Sequence, residues 1–363
     1  MGLSLIYSRF DRTGSAVADR TLPVQVAIIA GVLLHSRIHT EREFPLDTSK
    51  LAPFNRGFLK PRFWPTWLVL GFFWLIAQLP VAINQAIGRG LGHLLYRLAP
   101  SRKRYAEVNI ALCFPELDAQ AQAQMVRGVI MSCGLSITET AMGLWGQHNK
   151  MRNRYRITGL EHIEKAQAEG KGILLCGSHL TTIDISGRIM AYHIVADVLY
   201  RPDPNPLMSY AIAKARGRVN GSAIHRDDTR QLIKSLRKGN IVWYAPDQDY
   251  GRNHSVFAPF FGVQAATIVA TARIAKLSGC AVLPFFCFRE PHGRYRVEIQ
   301  PALENFPGGD DVADATRINK IIEDAVRQAP DQYLWVHRRF KTRPEGEASF
   351  YPPKKKRGRK PQL

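Results

Sequence analysis

Gly170-Lys171-Gly172-Ile173-Leu174-Leu175-Cys176-Gly177-Ser178-His179-Leu180-Thr181-Thr182-Ile183-Asp184 reads as a buried strand, a tight turn and the start of a helix. The apolar run ends at Cys176, Gly177 opens the turn, and His179 lands at the strand's end. In α/β sheets ligands gather in the crevice beyond the carboxyl ends of the strands, because a rigid scaffold presents the loops there. His179 therefore stands where chemistry is expected.

Working outward, apolar runs alternate with amphipathic stretches from Ile157 onward. Strands are expected at Val195–Tyr200, Ile241–Ala245, Ala281–Phe288, Arg294–Gln300 and Tyr333–Val336. Helices are expected after Thr182, around Pro206–Gly217, and over Asp228–Lys238, Ala265–Ser278 and Val312–Gln328, with Gly239 and Gly279 placed as stops. Such alternation predicts an α/β domain, a mixed sheet flanked by helices, over residues 101–349. Val108, Ala111, Leu112, Met125, Val126, Val129 and Ile130 recur at helical spacing and form a helical lead-in.

Residues 58–100 read as a membrane-anchoring region. No charged residue occurs from Phe63 to Gly88, and the segment is long enough to span a bilayer. Lys60 and Arg62 precede it and Arg89, Arg97, Arg102, Lys103 and Arg104 follow, so both flanks are basic and the positive-inside rule does not orient it. A single span and an interfacial helix both remain open. Residues 1–57 read as an N-terminal extension whose apolar run Val24–Leu34 is too short to span. No methionine falls between Met1 and Met125, and translation is expected to start later, at a codon near Leu46.

The 363 residues carry 50 Lys and Arg against 30 Asp and Glu, a net charge of +20. Six of these positive charges sit in the tail 350–363, at Lys354, Lys355, Lys356, Arg357, Arg359 and Lys360, which leaves +14 on the rest. The partner should be anionic: an acidic membrane, a phosphorylated substrate, an acidic carrier protein or nucleic acid. Basic patches interleaved with aromatics are not visible outside the apolar segment, so nucleic acid is not the expected partner. The five cysteines lack metal-ligand spacing, so neither a disulfide framework nor a structural metal is expected, and a reducing compartment fits.

For chemistry, His179 and Asp184 form the candidate catalytic pair. On an ideal helix residues five apart point about 140° away from each other, so the two meet only if His179 lies in the turn. Asp184 would then accept from one imidazole nitrogen while the other takes a proton from a hydroxyl. Ser178 lacks nucleophile-elbow spacing and Cys176 lies inside an apolar strand. No phosphate-binding glycine loop or H-E-x-x-H is present, and Gly88-x3-Gly92 alone is too weak to argue helix packing.

From about Phe58 to Ser349 the chain resembles the late acyltransferases of lipid A biosynthesis, the lauroyl and myristoyl transferase family. The resemblance rests on Pro61-Arg62-Phe63-Trp64-Pro65-Thr66-Trp67, Asn109-Ile110-Ala111-Leu112-Cys113-Phe114-Pro115-Glu116, Tyr200-Arg201-Pro202, Val242-Trp243-Tyr244-Ala245-Pro246-Asp247-Gln248-Asp249-Tyr250-Gly251 and His337-Arg338-Arg339-Phe340-Lys341-Thr342-Arg343-Pro344-Glu345-Gly346. It implies an N-terminal membrane anchor, a glycerophosphate-acyltransferase-like α/β domain, and an H-x4-D/E catalytic pair, here His179 and Asp184. Many lipid A members carry glutamate at the second position, so the aspartate departs toward the glycerolipid relatives.

By the same resemblance Arg226, Asp247 and Asp249 fall in family blocks, as does Leu283-Pro284-Phe285. Arg201 and Arg226 suit substrate phosphate, since a guanidinium bonds phosphate oxygens bidentately, and Asp247 and Asp249 suit a sugar hydroxyl or a basic side chain. The expected reaction moves a fatty acyl chain from acyl carrier protein, a co-substrate rather than a bound cofactor, to a hydroxyl of a Kdo-bearing lipid A precursor. It would take place on the cytoplasmic face of a bacterial inner membrane, with an apolar slot for the chain. A glycerophosphate or lysophospholipid acceptor is the alternative.

Overall fold

The uncharged stretch after Phe63 folds as two helices, α1 (Trp64–Gln78) and α2 (Val81–Leu98), where a single long span was admitted by the sequence. Pro80 is the cause. It disfavours the helical region for the residue before it, and Leu79 is extended at ψ 154°. At 15 residues α1 is about 22 Å long, short of the ~30 Å hydrocarbon core. Among the described residues no helix is long and apolar enough to cross a membrane.

This is a computed structural model, and it describes residues 54–217 and 221–352. The proposed start near Leu46, nearly all of the extension 1–57 and the basic run of the tail lie outside them. The anchor region and the domain that follows belong to one packed unit.

Two further helices, α3 (Pro100–Cys113) and α4 (Ala119–Trp145), complete the lead-in. Asp118 caps α4 by accepting from the Ala121 N–H at 2.7 Å. The glycines at 88 and 92 do mark a helix contact: a Cβ on Gly134 of α4 would sit 2.2 Å from the Gly92 nitrogen and 2.4 Å from the Gly88 carbonyl oxygen. Two helix backbones come this close only where side chains are absent. The partner glycine lies 42 residues downstream of Gly92, which is why Gly88-x3-Gly92 alone could not announce it.

The α/β part then runs β1 (Tyr155–Thr158), α5 (Leu160–Ala168), β2 (Ile173–Cys176), α6 (Ile183–Met190), β3 (Ala196–Tyr200), α7 (Pro206–Arg216), β4 (Ala223–His225), α8 (Thr229–Arg237) and β5 (Ile241–Tyr244). After it come β6 (Ser255–Phe260), β7 (Val263–Ile268), α9 (Ala270–Ser278), β8 (Ala281–Glu290), β9 (Arg294–Ile299) and α10 (Asp311–Gln328). Seven strands form one sheet in the order β1-β9-β8-β2-β5-β3-β4. Every neighbouring pair is parallel except β8 with β9, so the sheet is mixed, as expected.

Alternation along each strand splits the core in two. Ile173, Leu175 and Leu283 pack with Met142, Ile185 and Ile189 on one face. Leu174, Val242 and Phe286 pack with Leu236, Ile274 and Ile322 on the other.

Two expectations are corrected. Residues 265–268 are not helix but the end of β7, which pairs with β6 in a separate hairpin. Its two-residue turn is Phe261-Gly262, both at positive φ (52° and 74°), the backbone an I′ hairpin turn requires. A phenylalanine where asparagine or aspartate is usual hid the turn, and the alanines of Ala265-Ala266 read as helix formers. Tyr333–Val336 makes only one bridge, Leu180 to Tyr333, and then turns away.

Candidate functional site

Four parallel strands deliver four of the expected residues to one edge of the sheet. His179 follows β2, Asp247 follows β5, Arg201 follows β3 and Arg226 follows β4, and these strands are consecutive neighbours in that order. Strands lie about 4.8 Å apart, so Arg201 and Arg226 stand roughly two and three spacings, ~10 and ~14 Å, along the edge from His179.

His179 and Asp247 meet directly. The ring Nδ1 is 2.5 Å from Asp247 Oδ1, and the His179 backbone N–H donates to Oδ2 at 2.8 Å. Asp247 is buried. Burial pushes its pKa up, but the facing His179, the two hydrogen bonds from it and the Tyr333 hydroxyl outweigh that, and the carboxyl is held below its ordinary value. An ionised carboxylate only accepts, so Nδ1 carries the proton and Nε2 is the ring nitrogen left to act as a base.

Asp184 does not take the place expected of it. It sits on the first turn of α6, with one oxygen accepting from Thr140 Oγ1 at 2.8 Å and the other paired with Arg216 at 3.1 Å. The His-x4-Asp spacing brings Asp184 to α4 and α7, while the imidazole is met by a carboxylate from a different strand.

The remaining expected residues divide. Arg201 and Arg226 are exposed, and Arg226 lies 3.4 Å from Asp227. Asp249 is buried with its oxygens spent on the Gly251 N–H (2.9 Å), the Thr342 N–H (2.6 Å) and the Thr342 hydroxyl (2.8 Å), which makes it a strut between two loops. Of the matched string at 337–346, Arg339 proves structural: fully buried, it donates to the Ala266 carbonyl and to Thr267 Oγ1 and lies over the Phe260 ring.

The loop carrying His179 is tied down on several sides. Leu334 N–H donates to the His179 carbonyl (3.0 Å), Thr181 N–H to the Gln332 carbonyl (2.8 Å), and Thr182 Oγ1 to the Cys287 carbonyl (2.5 Å). Behind it Arg289 holds Glu139 bidentately, both contacts 2.6 Å, with the Tyr295 hydroxyl on the same carboxylate at 2.8 Å. Arg289 also donates to Thr181 and Ser132.

His337, a residue sequence reasoning gave no role, shares a small cavity with His179, Asp247 and Tyr333. Burial and the neighbouring His179 lower its pKa, so it is neutral near pH 7. Only the family-like string had singled it out.

On the opposite face of β5 a second cavity of about 80 Å³ runs between the sheet and α6. Leu175, Ile183, Met190, Val198, Trp243 and Phe285 line it, with Asp184 and Arg216 also in its wall. Asp184 belongs to the end of the sheet where His179 sits, Met190 to the far end, so the slot runs down from the active edge. Burial pushes the Cys176 thiol up to about 12, so it is an inert core group rather than a nucleophile. A histidine oriented by a buried carboxylate, with cations along the same edge and an apolar slot beside them, is an arrangement that could take a proton from a hydroxyl next to an apolar chain.

A family model described as bacterial lipid A biosynthesis acyltransferase matches residues 51–342. The lipid A biosynthesis lauroyltransferase of Escherichia coli (strain K12) is 39% identical over 305 residues, covering 84% of this chain and 100% of that protein. The palmitoleoyltransferase of lipid A biosynthesis from the same organism is 38% identical over 300 residues, covering 82% and 98%. Among solved structures, a 1-acyl-sn-glycerophosphate acyltransferase from Thermotoga maritima is 14% identical with a TM-score of 0.32, covering 65% of this chain and 97% of that one.

Proposed function

Since this chain belongs to the bacterial lipid A biosynthesis acyltransferase family, and is therefore an acyltransferase, we propose that it moves a lauroyl-like chain from acyl carrier protein to a hydroxyl of a Kdo-bearing lipid A precursor, with His179 as general base. The observation that carries the mechanism is the doubly bonded His179–Asp247 pair.

In this reading the acceptor hydroxyl gives its proton to His179 Nε2 as its oxygen attacks the thioester carbonyl. Asp247 holds the ring in the right tautomer and stabilises the imidazolium that forms. Asp247 thus takes the orienting role that the sequence assigned to Asp184. The departing thiolate recovers the proton, and no acyl-enzyme is required. Arg201 and Arg226, ~10 and ~14 Å along the edge, would meet phosphate groups remote from the reacting hydroxyl. The basic body would draw in an acidic carrier protein.

The acyl chain is assigned to the slot under Trp243. At about 80 Å³ the slot as it stands is smaller than the roughly 300–1,000 Å³ of typical ligand pockets, so a long chain would have to widen it.

The proposed seat is the cytoplasmic leaflet of the inner membrane, with α1 lying in the interface. Leu68, Phe72 and Leu75 share one face of α1 and are 70%, 47% and 54% exposed, too large an apolar stripe for a surface facing only water.

The test uses detergent-purified full-length enzyme, acyl carrier protein loaded with chains of several lengths and Kdo-bearing tetraacylated precursor, with product mass as readout. Addition of one chain by wild type, lost in His179→Ala, supports the reading. No addition to this acceptor but turnover of glycerol phosphate or lysophosphatidate moves the assignment to a glycerolipid acceptor, and a fully active His179→Ala overturns the mechanism.

A further inference from the structure

Acyl transfer places negative charge on the carbonyl oxygen of the thioester, and a donor must meet it. The usual supply, the backbone N–H groups of the turn beside the base, is largely spent here. Gly177 N–H donates to the Tyr244 carbonyl, His179 N–H to Asp247, Leu180 N–H to the Ser178 carbonyl and Thr181 N–H to the Gln332 carbonyl. These four cannot turn to a substrate without breaking the fold of the loop.

Two side-chain donors near this turn have no partner among the described residues, the Ser178 hydroxyl and the Trp243 indole, and of the two the indole lines the slot. Trp243 lies on β5 directly opposite Leu175 of β2 and lines the slot. Its indole Nε1 is buried and has no acceptor among the described residues. An indole N–H can only donate, and a buried donor left without a partner is rare enough to require a reason. Nε1 lies against Gly177: a Cβ built there would be 3.0 Å from it and 3.2 Å from the Phe285 carbonyl oxygen. Any side chain at 177 would fill the space over the indole edge. Gly177 is two residues before His179, so their Cα atoms are at most about 7.6 Å apart. The orphan N–H therefore lies beside the turn that carries His179, at the carboxyl end of β2.

We infer that the indole N–H of Trp243 is the hydrogen-bond donor that receives the carbonyl oxygen of the donor thioester while the acyl chain occupies the slot beneath it. This rests on the acyl-transfer reading. The acceptor oxygen bonds to the carbonyl carbon and its proton passes to His179 Nε2. The carbonyl π pair moves onto oxygen, where the Trp243 N–H holds it. When that pair returns, the carbon–sulfur bond breaks and the thiolate takes the proton from His179, leaving ester and thiol. Trp243 also fixes the direction of the chain: carbonyl up against Gly177, methyl end toward Met190.

The test is Trp243→Phe in the detergent-purified full-length enzyme, which keeps an aromatic ring in the slot and removes only the N–H with part of the indole. The kcat is expected to fall on the order of 100-fold, as for loss of one oxyanion donor, with the KM for acyl carrier protein thioester changed less than about threefold and the unfolding midpoint not lowered. A kcat within threefold of wild type overturns the inference. His179→Ala is run alongside. Its loss of activity together with full rate in Trp243→Phe sinks the indole assignment and leaves the reaction standing, whereas an active His179→Ala removes the reaction on which the assignment rests. Should Trp243→Phe fold poorly, wild-type enzyme labelled with ¹⁵N-tryptophan gives a second reading. Adding an acyl ketone analogue, with CH₂ in place of sulfur, should move one of the six indole N–H resonances downfield, and no movement on saturation overturns the inference.

Discussion

The carboxylate of Asp247 grips His179 at two points, ring nitrogen and backbone N–H, across 68 residues of sequence. The grip fixes both the rotation of the imidazole and the path of the loop that bears it. A side chain and its own backbone, clamped by one buried anion, have little freedom left to lose when substrate arrives, which is the condition for an efficient base.

Asp247→Asn removes the charge and keeps the size. The kcat is expected to drop by roughly 10³- to 10⁴-fold through the wrong tautomer and an unsupported imidazolium. Stability should follow pH with a definite sign. A carboxyl depressed on folding adds stability above its unfolded pKa of about 3.9 and loses it as pH falls through the lower folded value. Wild type should therefore unfold at higher temperature than Asp247→Asn near pH 7, with the gap closing below about pH 4. A gap that stays constant over that range contradicts the pair.

Asp184 bonds Thr140 and Arg216 rather than the imidazole. A double-mutant cycle in stability between Asp184→Asn and Arg216→Gln should show coupling of about 0.5–3 kcal/mol, while Asp184→Asn and Asp247→Asn should add independently. The pH dependence of kcat in Asp184→Asn should keep the wild-type inflection. A moved inflection would return Asp184 to the imidazole.

Leu68 and Phe72 project from α1 on its exposed side. Replacing both with glutamate should release the enzyme from anionic vesicles in a flotation assay without lowering its unfolding midpoint in detergent. Retention on the vesicles would mean that another surface makes the attachment.

The Glu139–Arg289 pair is buried, and although burial disfavours the Arg289 charge, Glu139 more than compensates and raises its pKa. Arg289→Met leaves the buried Glu139 carboxylate without its countercharge, with the Tyr295 hydroxyl still on it, and should cost about 3–5 kcal/mol in denaturant titration. Glu139→Gln combined with Arg289→Met should recover part of that, because no lone charge remains. Equal loss in both variants would show that packing, not charge, dominates.

The sheet was legible because β2, β5 and β8 as far as Phe288 are apolar runs, as strands buried on both faces are. His179 could be placed for the same reason, at the end of such a run. What escaped reading depended on partners far away in sequence. Asp184 was five residues from His179 and attracted the orienting role, but a helix start points side chains according to its own packing, and α4 and α7 claimed it. Asp247, in a loop after an apolar run, could be read as suiting a basic side chain or a sugar hydroxyl, but nothing local named His179 as its partner; strand order alone sets β5 beside β2. The β6–β7 hairpin was masked by its Phe261-Gly262 turn, and Trp243 looked like any core aromatic because an orphan N–H is invisible until its neighbours are in place.

The seam at Gly134 reaches beyond packing. It sets α4 into α2 without side chains between them, and the Gln78 amide donates to the Trp145 carbonyl (3.2 Å), tying α1 to the end of α4. That end of α4 brings Thr140 to Asp184, and Gly143 and Leu144 to the slot wall. The exposed face of α1 and the edge that carries His179 are thus joined through α4 by direct contacts. If α1 seats in a leaflet as proposed, its draught would set the altitude of His179 above the acyl tails. An acceptor whose own tails stay in that leaflet would carry each of its hydroxyls at a fixed height, and only the one level with the imidazole would be reached. Which hydroxyl is acylated would then be a matter of elevation, decided by how deep the protein rides.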